Sequence, residues 1–159
     1  LAIPAAPSVL PDDRPWLPTD NGGPFTDHSA TFYYAWEANG EGNEAEGDRT
    51  VPPRFGFRVE PVHCNLRPTC HGGMLATFVD VVMAKAIILT GPPRTSVPTV
   101  NLSIDYLAPA PLGAWVEAIV RIDRLTSTLA FTHVTLHVGE TMILRASAVY
   151  RIYPSERAL

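Results

Sequence analysis

Two stretches of the 159-residue chain hold groups suited to chemistry. Asp80 lies inside the run MLATFVDVVMAKAIILT, and its neighbours three and four positions away are Ala76, Thr77, Met83 and Ala84, none of them cationic. A carboxylate in such surroundings must find hydrogen bonds, because burying it unpartnered is costly. Asp80 therefore faces a wet edge, bonds Thr77, or serves as an acid or base. The second stretch, Asn65-Leu66-Arg67-Pro68-Thr69-Cys70-His71-Gly72-Gly73, leads directly into that run. Free backbone N–H groups at a helix start, with the positive end of the helix dipole behind them, suit a developing oxyanion. Glycines let a substrate come close to that backbone. The bland alternative is a glycine turn that only lets a helix begin.

Other constellations are weaker. His63, Cys64, Cys70 and His71 are all metal-ligand types, but adjacent strand residues point to opposite faces, so His63 and Cys64 seldom share one ion. Cys70 beside His71 reads as a free cysteine rather than a thiol nucleophile, because sequence neighbours seldom form such a dyad. His133 and His137 share a strand face but stand about 13 Å apart at ~3.3 Å per residue, too far for one metal. Arg67, Arg94, Arg121, Arg124, Arg145 and Arg151 supply cations; Arg67 and Arg94 fall in loops near the two ends of the apolar run.

The elements that must position these groups are readable from periodicity. Residues 72–90 are entered through His71-Gly72-Gly73 and closed by Gly91-Pro92-Pro93, which predicts one long helix. Only Thr77, Asp80, Lys85 and Thr90 are polar after Gly73, so the helix expects burial nearly all round. A sheet covers one side only, and the remaining apolar flank calls for a partner chain. From residue 97 the alternation has period two. Val100, Leu102, Ile104 and Tyr106 share a face, as do Val116, Ala118, Val120 and Ile122. Ala130, Val134, Leu136 and Val138 form a third set, and Met142, Leu144, Ala146, Ala148 and Tyr150 a fourth. Short links between them make antiparallel neighbours. With TFYYAWEA (31–38) and RFGFRVEPV (54–62), the sum is an α+β domain with a six-stranded, mostly antiparallel sheet around one central helix.

Composition sets the boundaries. Six of the 16 prolines precede residue 25, so 1–30 reads as a proline-rich arm. The domain then runs over 31–153, with an acidic loop insertion at 39–53 and a tail at 154–159. Acidity is local: nine acids face two arginines in residues 1–53, against seven acids and ten bases in residues 54–159. With eleven Arg and one Lys against 16 acids, no broad basic footprint for nucleic acid exists. Two cysteines are too few for a disulfide framework, and no apolar stretch reaches eighteen residues without a charge, so the expectation is a cytoplasmic protein outside the membrane.

The pattern N-x5-HGG-x6-D followed by TVNLSIDYLAPAP resembles the hotdog-fold acyl-CoA thioesterases, in particular the phenylacetic-acid-degradation type, over about residues 54–152. The resemblance implies a hotdog fold and hydrolysis of an acyl-CoA to free acid and coenzyme A without a cofactor. It places Asn65 and Gly72 on the thioester carbonyl and His71 beside the leaving thiolate, while Gly73, as a glycine at the helix start, is a candidate for close approach of the substrate. It sets Asp80 as the acid that orients or activates the attacking water, or attacks directly, with Thr99 helping to hold that water; for a coenzyme A substrate, Arg67 and Arg94, in loops near the two helix ends, are the candidates for the phosphates. Strict alternation puts Thr99 on the face opposite Val100 and Leu102, so only a local bulge would aim it at the helix. Other hotdog activities considered are a non-catalytic acyl-CoA-binding module and an enoyl-CoA hydratase. The hydratase usually pairs its Asp with a His a few residues on, whereas Asp80 is followed by VVMAK. Gly72 and Asp80 lie about 12 Å apart along a helix at ~1.5 Å per residue, whereas reacting groups meet within roughly 3.5 Å. Antiparallel helices across a two-fold would bring one chain's Asp80 to the other's Gly72, giving a homodimer, and two such dimers paired would give a homotetramer.

Overall fold

The computed structural model describes residues 10–20, 22–37, 50–91 and 94–154. Most of the acidic insertion and of the tail lies outside them. In chain order the elements are β1 (Leu17–Pro18), α1 (Pro24–Ser29), β2 (Tyr33–Ala35), β3 (Arg54–Arg58), α2 (Gly72–Thr90), β4 (Arg94–Ser96), β5 (Thr99–Tyr106), β6 (Trp115–Leu125), β7 (Leu129–Val138), β8 (Thr141–Arg151) and β9 (Tyr153–Pro154).

The helix begins where the glycines stand. His71 is its N-cap, and its ring accepts the Gly73 N–H. The helix stops without a left-handed glycine: Gly91 is extended at φ −115° and ψ 179°, as a residue before proline prefers. Long and apolar enough by composition to cross a membrane, α2 instead lies across the sheet. It buries Leu75, Phe78, Val79, Val82, Met83, Ala86 and Ile87 there. Facing them are Val116, Ala118, Val120, Ala130, Val134, Leu136, Leu144 and Tyr150, the inward positions of β6, β7 and β8. The burial is one-sided. Ile88 is exposed, and Thr77, Asp80, Val81 and Ala84 are only half-buried, so an open flank runs along the helix.

The sheet has seven strands rather than the expected six, in the order β1-β2-β3-β6-β7-β8-β5, antiparallel throughout. The extra strand is Leu17–Pro18, paired with Tyr33 and Tyr34. Two residues show no period, and proline suits only an edge. A further pair, β4 with β9, stands apart. The proline-rich segment is laid along the outer face of the sheet: Trp16 packs edge-on against Trp115 at 5.1 Å between ring centroids, and Arg14 pairs with Glu117 at 2.7 Å. The Trp115 indole crosses Gly56, where a Cβ would sit 2.3 Å from the ring. Two expected faces differ. An irregularity between Leu136 and His137 in the β7–β8 ladder leaves Met142 exposed and buries Ile143 instead. As the last strand of the sheet, β5 leaves Val100 and Tyr106 more than half exposed.

Candidate active site

The loop before α2 is held by backbone hydrogen bonds, within itself and to its neighbours. Asn65 N–H donates to the Thr69 carbonyl at 2.9 Å, and Cys70 and His71 N–H groups donate to Ala110 and His63. Asn65 is exposed, its amide lying 3.5 Å from the Cys70 carbonyl. Arg67 is also exposed. His71 Nδ1 accepts the Gly73 N–H at 2.8 Å, which leaves the imidazole proton on Nε2 when the ring is neutral. The cap decides which donor is free: Gly73 N–H is taken, whereas the Gly72 N–H has no partner among the described residues. Tyr106, not singled out from sequence, donates its phenol to the Gly72 carbonyl at 2.9 Å, with its ring 3.4 Å from where a Gly72 Cβ would lie. A free N–H at a helix start, beside an exposed amide, can polarise a carbonyl.

Asp80 sits two turns along α2. Thr77 donates to the Gly73 carbonyl, so it does not serve Asp80. The carboxylate instead receives Thr99 Oγ1 on Oδ1 at 2.7 Å and Tyr150 OH on the same oxygen at 3.1 Å. The Thr99 contact depends on a register shift between Thr99 and Asn101, which turns Thr99 to the inner face and leaves Val100 outside. The Tyr150 hydroxyl is polar chemistry at a position that periodicity reads only as core. Burial, and after it the Asp80 charge, push this phenol above its ordinary range.

The remaining candidates have other occupations. His63 is buried and uses both ring nitrogens on backbone, Nδ1 accepting from Glu60 N–H at 2.9 Å and Nε2 at 2.9 Å from the Ser29 carbonyl. Burial pushes the Cys70 thiol up to about 12, with Cys64 adding to the shift, so it remains a thiol rather than a thiolate nucleophile. His133 Nδ1 meets Asp123 at 2.7 Å on the outer face. Arg94 belongs to β4, and its side chain lies outside the described residues. Within one chain, Gly72 and Asp80 remain at separate levels of the helix.

A family model described as the thioesterase superfamily matches residues 68–144. The Pseudomonas aeruginosa protein PA0474, an esterase by name, is 36% identical over 96 residues, covering 60% of this chain and 72% of the relative. Human acyl-coenzyme A thioesterase 13 is 38% identical over 82 residues, 50% of this chain. The match covers 56% of that human protein, a little over half its length. A variant of the phenylacetic acid degradation protein PaaI of Thermus thermophilus superposes with a TM-score of 0.63 at 22% identity, over 81% of this chain and 98% of that one.

Proposed function

The chain belongs to the thioesterase superfamily, and on that premise we propose that it hydrolyses acyl-CoA thioesters to the free acid and coenzyme A, at a site shared by two subunits. The observation that carries the reading is the pairing of a free Gly72 N–H at the start of α2 with a hydroxyl-held Asp80 two turns along it.

The thioester carbonyl oxygen would accept hydrogen bonds from Gly72 N–H and the Asn65 amide, which stabilise the charge that grows as the carbonyl carbon becomes tetrahedral. Asp80 takes a proton from water while that water attacks, with Thr99 able to hold the water through its remaining lone pair. Collapse of the tetrahedral centre expels the thiolate of coenzyme A beside His71, whose Nε2 is the ring nitrogen outside the cap. Gly73 contributes an open approach rather than a donor, since its N–H is engaged. Arg67 and Arg94 are the candidates for the coenzyme A phosphates.

Sharing follows from distance. The separation of about 12 Å along one helix exceeds the reach of one reacting carbonyl. Packing the open flank of α2, where Gly73, Thr77, Ala84 and Ile88 recur, against a second copy running the other way removes the excess. Pairing of two such dimers into a tetramer is compatible with this arrangement. The cytoplasmic assignment rests on cysteine usage, with Cys64 and Cys70 free thiols on facing bridge residues.

A steady-state screen over acyl-CoAs of graded chain length and aromatic acyl-CoAs, read as released thiol, tests the proposal. Turnover of at least one class at saturable concentrations is the expected result. Binding without thiol release across the series would replace hydrolase with acyl-CoA-binding module.

A further inference from the structure

Both hydroxyls at Asp80 reach the same oxygen. Thr99 and Tyr150 are direct cross-strand partners on β5 and β8, a pairing that exists because the ladder shifts between Thr99 and Asn101. Thr99 Oγ1 donates to Oδ1 at 2.7 Å. The single phenol proton of Tyr150 is shared between the Asp80 carbonyl at 2.8 Å and Oδ1 at 3.1 Å. Among the described residues, Oδ2 has no hydrogen-bond partner. Tyr150 itself is wholly buried, whereas Thr99 is exposed.

We infer that Tyr150 is a positioning residue for the reaction: with its strand partner Thr99 it anchors Oδ1 and the helix carbonyl of Asp80, leaving Oδ2 as the oxygen that takes the proton from water. This deepens the proposed function and rests on it. The terminal torsion of an aspartate is broad and nearly two-fold, so an untethered carboxylate swings and exchanges its oxygens. Two donors on one oxygen, one of them fixed in the core, remove that freedom before substrate arrives. The gain appears in the chemical step, because orientation must be right when the proton moves, and binding hardly depends on it. The phenol remains a donor at working pH, since burial and the neighbouring carboxylate hold its proton on.

Other titratable groups leave this carboxylate to the hydroxyl pair. Lys85, further along α2, is engaged by Asp20 at 2.8 Å. On β5, Asp105 pairs with Arg145 of β8. On β7, His133 pairs with Asp123 of β6.

Tyr150→Phe keeps the ring and removes only the hydroxyl. In the 159-residue chain, kcat should fall about ten-fold while KM stays within about two-fold, with thermal melting little changed. Placed in the Asp80→Asn background, the same change should produce no further loss of residual thiol release, because the phenol acts through Asp80. A kcat within two-fold of the parent overturns the assignment, as does a fall carried by KM. So does an equal further loss in the Asp80→Asn background, which would make the effect independent of the carboxylate. A variant that no longer folds makes the phenol a structural bond and overturns it too. Full activity of Asp80→Asn alone is a separate result, one that removes the premise about Asp80 whatever Tyr150→Phe does.

Discussion

The two halves of the site are built differently. At the first turn of α2, the loop from Asn65 to Gly73 is held mainly by bonds among near neighbours: Asn65 to Thr69, and the His71 ring to Gly73. The donor proposed there is a backbone N–H, which any residue but proline supplies. At Asp80 the acceptor is a side chain, and the hydroxyls that hold it come from positions 19 and 70 residues away. Backbone chemistry is cheap to assemble locally, whereas a carboxylate with a defined free oxygen needs two strands in register.

The largest expected effect is at the carboxylate. Asp80→Asn keeps the shape but cannot take a proton from water, so kcat should fall roughly 10² to 10⁴-fold, with acyl-CoA binding by calorimetry within a few-fold. Undiminished thiol release would show that only the backbone half matters.

Mixed dimers sharpen the contrast by placing the halves on different chains. Gly72→Pro removes the N–H at a helix position that accepts proline, and there is ordinary contact space toward Tyr106. Co-refolded in equal amounts with Asp80→Asn, two dead proteins should regain about a quarter of parental activity, since about half the dimers mix and each mixed dimer has one intact site. No recovery in mixed dimers verified by mass would mean that both groups act within one chain.

A smaller effect belongs to the cap. His71→Ala removes the acceptor for Gly73 N–H and should cost about 1 kcal/mol of stability, a shift of about 2–4 °C in Tm for a domain of this size. Calorimetric melting measures it. A much larger shift would show that the loop half leans on more than its own bonds.

The smallest effect tests the arm, whose Arg14 and Trp16 lie on the outer face of the sheet. The hydrogen bonds from Arg14, helped by the Trp16 indole and outweighing the opposing effect of burial, lower the Asp12 carboxyl from an ordinary 3.8 to about 2. A lowered folded-state value means the contribution is present above pH 4 and lost as pH falls through 2. The small gap in Tm between the parent and Asp12→Asn should therefore close between pH 4 and pH 2. Asp12 is an exposed partner, so the gap at neutral pH is modest. A gap that persists at pH 2 would assign the arm's attachment to Trp16 packing instead.

Much of this architecture is written in local pattern. The glycine entry and proline exit of α2, the alternation along β6, β7 and most of β8, and the contiguous run from Asn65 to Gly73 are consequences of backbone sterics and hydrophobic periodicity, which act over a few residues. The irregularity at Thr99, the two-residue strand β1 and the exposure of β5 are not, because each depends on what lies beside the chain. Tyr106 and Tyr150 mark the limit most clearly. Tyr150 satisfies the alternation by its buried ring alone, whereas Tyr106, on the last strand of the sheet, stays more than half exposed. Their hydroxyls found the Gly72 carbonyl and the Asp80 carboxylate only when the helix settled on the sheet, since a polar tip takes its meaning from a partner distant in sequence.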